Sequence, residues 1–128
     1  MDNLQYSPTS KTPSVNFNAT AGILEIKGNS IPEDAFSFYD PVINWVRRYV
    51  AEFPPAKTVF VFKMSYFNTS SSNCFMNMLK ILKNTLPAAS TFEVKWYFEE
   101  DDEDMQDSGE YYAAVLGMPF SFYPVDSL

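Results

Sequence analysis

Residues 57–80 read "KTVFVFKMSYFNTSSSNCFMNMLK", and the change of pattern inside this stretch decides what kind of fold the chain adopts. Its first part, Lys57 to Phe67, is β-branched, aromatic and nearly continuous in apolarity, which predicts a central strand buried on both faces. From Cys74 the apolar residues Cys74, Phe75, Met78, Leu79, Leu82 and Leu86 recur at helical spacing, and Pro87 ends the pattern. A buried strand running into an amphipathic helix is the building unit of a sheet with helical cover. Between the two lie Thr69, Ser70, Ser71 and Ser72. One hydroxyl suffices to cap a helix, at about 0.5–2 kcal/mol relative to Ala. Four in succession leave room for a second use.

Upstream, Val15 and Phe17 alternate with Asn16 and Asn18, "NATAG" (18–22) is turn-like, and "ILEIKG" (23–28) alternates again. Leu24 and Ile26 fall on one face and Glu25 and Lys27 on the other, so the segment reads as a β-hairpin. Residues 1–13 are polar, carry Pro8 and Pro13, and are expected to run extended along the surface of one domain spanning 14–128. In "NSIPEDAFSFYDPVINWVRRYVAEFPP" (29–55), Ser30 and Glu33 have capping-box spacing and Pro32 suits a first helical turn. Phe36, Tyr39, Val42, Ile43, Val46, Val50 and Phe53 mark one helical face. Pro41 should kink or split that helix, with Asp40 as a second cap, and Pro54-Pro55 ends it. Downstream, "TFEVKWYF" is a further strand and "FSFYPV" a last short one. Between them "EEDDEDMQDSGEYYAAVLGMP" holds a third helix, with acids toward its start, Gly117 as the residue after its last turn and Pro119 beyond. The order β-β-α-β-α-β-α-β predicts an α/β (mixed α+β) domain: a mixed sheet of about five strands with about three covering helices.

Composition excludes several functions. Nine basic residues against sixteen acidic ones give a net charge of −7, and the largest basic cluster is Arg47-Arg48. Nucleic acid and anionic membrane are therefore not expected partners. With no His and a single Cys, Cys74, the chain cannot build a Cys/His zinc site, a triad with a His base or a disulfide framework. The start has neither the basic nor the apolar region of a signal peptide, and no apolar run reaches the roughly 18 residues of a membrane span. A cytoplasmic location is the expectation.

Candidate sites remain. A phosphate on Thr69, at a helix start, would meet unpaired N–H donors and the positive end of the helix dipole, so modification need not unfold the domain. It would add about −1.5 to −2 charges at an exposed edge. If the helix begins at Thr69, then Ser72, Asn73, Met76, Lys80 and Lys83 project to one side, away from the Cys74–Leu79 core face. Met76 is then an exposed, adaptable apolar side chain beside a modifiable terminus. The candidate partner-binding set is Asn68, Thr69, Ser70, Ser72, Asn73 and Met76. The run Glu99–Asp104 could bind Ca²⁺ or Mg²⁺, but counting from Asp102 places Asp107 where a calcium loop needs Gly. A solvated, dipole-favoured helix start is the simpler reading. Cys74 reads as a small buried hydrophobe, since no His can activate it. No catalytic constellation and no cofactor motif is found. The abundant aromatics (12 Phe, 8 Tyr) leave open a small-molecule-binding module with a ring-lined pocket, although no Gly-rich phosphate loop is present. A two-component receiver domain does not fit, because the long strand ends in Phe67-Asn68-Thr69 where a receiver needs an Asp.

Several segments carry a resemblance: "TPSVNF" (12–17), "GILEIKGNSIPED" (22–34), "INWVRRY" (43–49), "YFNTSSSNCFMNML" (66–79), "WYFEEDDEDMQDSGEYYA" (96–113) and "MPFSF" (118–122). Through them the chain resembles the SiaC family of bacterial regulatory phosphoproteins, whose fold is STAS-like. The resemblance implies a non-enzymatic partner-switching protein. It implies that Thr69, the threonine of "NTSS", is phosphorylated by a dedicated serine/threonine kinase and dephosphorylated by a PP2C-type phosphatase. The unmodified form would bind and activate an effector, a diguanylate cyclase, tying the protein to cyclic-di-GMP and biofilm control. No cofactor and no metal are implied.

Overall fold

The computed structural model describes residues 1–52 and 54–128, so Phe53 of the expected helical face lies outside the described residues. The elements are β1 (Leu4–Tyr6), β2 (Ser14–Asn18), β3 (Ile23–Ser30), α1 (Ala35–Ala51), β4 (Lys57–Phe67), α2 (Thr69–Thr85), β5 (Thr91–Glu99), α3 (Glu103–Leu116) and β6 (Ser121–Val125). They form one mixed sheet in the order β1-β2-β3-β4-β5-β6. The hairpin is present as read, antiparallel with Val15 opposite Ile26 and Phe17 opposite Leu24. β3, β4, β5 and β6 are mutually parallel.

The sixth strand is β1, inside the segment expected only to run extended over the surface. Its three residues pair antiparallel with β2, Leu4 opposite Phe17 and Tyr6 opposite Val15. The indole N–H of Trp45 donates to the Asp2 carbonyl at 2.9 Å and ties this edge to α1. Nothing local marks so short a strand; its partner does.

Each of the three β-α-β steps moves one strand onward in the same direction across the sheet. Such crossovers are right-handed, so a strand order that never reverses puts every helix on the same face. β4 records the consequence. Thr58, Phe60, Phe62 and Met64 are buried under the helices, whereas on the other side Val61 is buried at 8% exposure but Val59 and Lys63 are only half-buried. The expectation that β4 is buried on both faces holds for the helix side and only in part for the other. Val59 and Val61 make the strand look apolar throughout, but they belong to a face that no helix covers. That face is held by polar and ring contacts. Lys63 pairs with Glu25 at 3.0 Å and lies 5.0 Å from the Tyr97 ring centroid, and Tyr97 stacks on Tyr123 at 4.8 Å.

Under the helices the core is ring-rich. Phe62 contacts Phe60, Phe75, Trp96 and Tyr112, and burying one such side chain contributes about 1.5–3 kcal/mol. α3 approaches the sheet at Gly109, where a Cβ would stand 2.7 Å from the Phe122 ring and 2.8 Å from Trp96. Gly117 closes α3 with φ 66°, a left-handed conformation that glycine adopts without strain.

α1 departs from its sequence reading in three ways. Ser30 does not cap it, because Ser30 is still the last residue of β3, opposite Phe67 and fully buried. The cap is Asp34, whose carboxylate accepts from Ser37 N at 3.1 Å and from the Ser37 hydroxyl at 2.7 Å. These two bonds hold the Asp34 carboxyl below the usual range. Pro41 does not split the helix, which runs unbroken from Ala35 to Ala51, so Asp40 caps nothing. The buried face is Ala35, Tyr39, Val42, Ile43, Trp45, Val46 and Tyr49, and Phe36 is 72% exposed.

Candidate functional site

Parallel strands and same-side crossovers bring the starts of α1, α2 and α3 to one end of the sheet, beyond the C-terminal ends of β3, β4 and β5. The four-hydroxyl run sits in the first turn of α2, between acidic neighbours: Glu33 and Asp34 ahead of α1, and Glu100 to Asp104 at the start of α3.

None of the four hydroxyls caps α2. Asn68 does, its side-chain oxygen accepting from Ser71 N at 2.9 Å while its backbone N–H donates to the Ser30 carbonyl at 3.0 Å. An Asn at that position satisfies the orphan donor as well as a hydroxyl would. The four hydroxyls then divide by direction. Thr69 and Ser70 are exposed, Ser71 is fully buried, and Ser72 is half-buried. Ser71 completes a buried chain. The Ser30 hydroxyl donates to Ser71 Oγ at 2.7 Å, Ser71 Oγ donates to the Ser30 carbonyl at 3.2 Å, and the Tyr39 hydroxyl lies 2.5 Å from Ser30 Oγ. With the Ser30 proton committed to Ser71, Tyr39 is the donor to Ser30. Ser72 reaches across to α3, its Oγ 2.5 Å from the Tyr112 hydroxyl, which donates to the Ser72 carbonyl at 3.1 Å. Burial pushes both the Tyr39 and the Tyr112 phenol well above the ordinary tyrosine value.

Of the expected partner-binding set, Thr69, Ser70 and Asn73 are exposed and Asn68 is a half-buried cap. Two members do not share that outer face. Ser72 is tied to Tyr112, and Met76 is half-buried and packs on the core, where it was expected to be exposed. The difference comes from α3, which covers this side of α2 and cannot be located from the period of α2 alone. Lys80 is exposed, and the Lys83 ammonium donates to the Leu116 carbonyl at the end of α3. Cys74 is half-buried with its thiol pushed up by desolvation, so it is not poised as a nucleophile.

The alternatives fare less well. In the acidic run Asp102 is the cap of α3, accepting from Met105 N at 3.0 Å, and Glu99 accepts from Leu128 N at 3.2 Å. Among the described residues no group of three or more His, Cys, Asp or Glu suits a metal ion. Many of the large aromatics are core: Phe17, Tyr39, Tyr49, Phe60, Phe62, Phe75 and Trp96 are all fully buried. Because the strand order never reverses, the crevice in which open α/β sheets bind small ligands does not form. Sequence reasoning missed two exposed rings at this end, Phe36 and Tyr66.

Comparisons with known proteins agree with this architecture. The model of a family described as SiaC family regulatory phosphoprotein matches residues 6–125. An uncharacterized protein of Pseudomonas aeruginosa (strain UCBPP-PA14) is 25% identical over 126 residues, covering 98% of this chain and 99% of the relative. The crystal structure of apo-SiaC from Pseudomonas aeruginosa superposes with a TM-score of 0.85 at 25% identity, over 96% of this chain and 99% of that one. A structure of the diguanylate cyclase SiaD in complex with its activator SiaC, from the same organism, contains a chain that matches in fold with a TM-score of 0.87 at 24% identity. The match covers 95% of this chain and 99% of that one.

Proposed function

The chain belongs to the SiaC family, and on that premise we propose that it is a non-enzymatic switch whose binding to an effector is set by phosphorylation of Thr69. The effector we infer is a diguanylate cyclase, as for the relative seen bound to SiaD. The setting and the opposing enzymes follow the family reading: a cytoplasmic protein, a serine/threonine kinase, a PP2C-type phosphatase, and a cyclic-di-GMP output governing biofilm formation.

One observation carries the proposal. Thr69 is exposed on a helix whose cap is another residue. A kinase can reach it without opening the domain, and losing its hydrogen-bonding capacity disturbs no cap. The N–H groups of the first turn favour the added anion. From Ser65 to Ser72 the chain carries no Lys or Arg, so no cation of that segment neutralises the phosphate, which stays hydrated at the surface. An effector seated there must displace that hydration shell and make room for the group. Docking is lost through desolvation and bulk.

The test is the affinity of a purified diguanylate cyclase of the source organism for the unmodified chain, for the chain phosphorylated at Thr69, and for Thr69→Ala. The proposal expects the first and third to bind alike and the second to bind at least tenfold more weakly. Equal binding by all three contradicts it.

A further inference from the structure

β4 ends irregularly. Gly28 of β3 lies opposite Met64 and Asn29 opposite Tyr66, so Ser65 has no partner across the ladder. Gly28 has φ 120°, a conformation open to glycine, at the point where the register slips. One extra residue in a strand reverses which side chains face which way beyond it. Met64 is buried before the bulge, and Phe67 re-enters the core after it, against Phe75, Trp96 and Tyr112. Tyr66 is left 57% exposed. In a regular ladder Tyr66 would share the face of Met64 and Phe67 would leave it. The bulge therefore removes a large ring from the core and sets it at the rim, three residues before Thr69.

Tyr66 forms one wall of a groove of about 150 Å³ whose other wall is the start of α3, with Asp102, Asp104, Met105 and Ser108. Met105 is buried and gives it an apolar floor. Asp102 is occupied as the cap of α3. Asp104 is exposed and, among the described residues, enters no ion pair. An aromatic face, a carboxylate and an apolar floor together suit a guanidinium, whose planar fork pairs with carboxylates and stacks on rings. The chain's net charge of −7 attracts basic surfaces toward it.

We propose that the Tyr66–Asp104 groove is the docking point for an arginine side chain of a protein partner. The identity of that partner as the effector rests on the function proposed above; the chemistry of the groove does not. Seated there, the arginine lies within a few residues of Thr69.

Two arms test the groove and the partner separately. In the first, acetyl-arginine amide is titrated into the isotope-labelled full chain and compared with acetyl-citrulline amide, which has the same shape without the charge. The proposal expects saturable chemical-shift changes centred on Tyr66, Asp104 and Met105 with arginine only, abolished in Asp104→Asn. Shifts that are absent, scattered, or equal with citrulline overturn it. In the second arm the purified cyclase is titrated with Tyr66→Ala and Asp104→Asn, both at exposed positions, with folding checked by melting. Each variant is expected to bind about tenfold more weakly than the parent chain, with a shallower salt dependence for Asp104→Asn. Affinities within twofold of the parent overturn the assignment of this groove to that interface. If the parent binds no cyclase while the arginine shifts appear, the proposed effector fails and the groove stands.

Discussion

Thr69 and Ser70 stand on the outside of the same helical turn whose other two hydroxyls, Ser71 and Ser72, hold α2 to its neighbours. The four are chemically near-equivalent and consecutive, yet a helix turns about 100° per residue, so adjacent positions meet different surroundings. Ser71 meets the end of β3 and Ser72 meets α3, while Thr69 and Ser70 meet solvent. The outer pair is available to an enzyme because the inner pair and Asn68 keep the turn intact without it. Under the proposed function, a phosphate on the outer pair would change binding with little change in folding.

That contrast can be broken by substitution, and the inner side should respond most. Ser71→Ala removes the acceptor of the Ser30 hydroxyl inside a buried chain that also includes Tyr39; leaving a buried donor without a partner costs about 1–3 kcal/mol. Chemical denaturation should show that loss, with cyclase affinity per folded molecule unchanged. Tyr112→Phe should lose about 0.5–1.5 kcal/mol, since it deletes the hydroxyl that contacts Ser72 twice. The same variant sharpens a pH prediction. Burial raises both Tyr39 and Tyr112 above the ordinary value of 10.0, so the folded state holds their protons more tightly than the unfolded chain. Their stabilising effect is complete below pH 10 and declines as pH rises beyond it. Melting temperature should therefore fall above pH 10, less steeply in Tyr112→Phe. Asn68→Ala should lose about 1 kcal/mol as the true cap. Thr69→Ala should be the mildest, within about 0.5 kcal/mol of the parent by denaturation. A larger loss would mean that Thr69 also supports the fold.

Local pattern made much of this legible. "ILEIKG" alternates and forms β3, the apolar period after Cys74 forms α2, and Gly117 ends α3 where its position predicted. Several of the misreadings share one cause, which is a neighbour that the local pattern cannot see. Ser30 and Glu33 have the spacing of a capping box, but Ser30 is held in the sheet opposite Phe67, so α1 waits for Asp34. β4 lacks visible alternation because the valines of its open face are apolar too. Leu4–Tyr6 becomes a strand only because β2 is there to pair with it. At the site, the exposure of Thr69 at the helix start follows from its place between strand and helix, whereas Met76 was misjudged because it shares the helix face of Ser72, which turns toward α3. Tyr66 went unnoticed because the bulge at Ser65 depends on the register of β3 against β4, which no single segment encodes.

The most direct measurement is fragmentation mass spectrometry of the intact chain recovered from its native cells, read for phosphate at each of the four hydroxyls. Phosphate on Thr69, with Ser71 and Ser72 unmodified, is the predicted result. Phosphate on Ser71, which is fully buried, or on Ser72, whose hydroxyl is held against Tyr112, or only at sites remote from this helix start, contradicts the account.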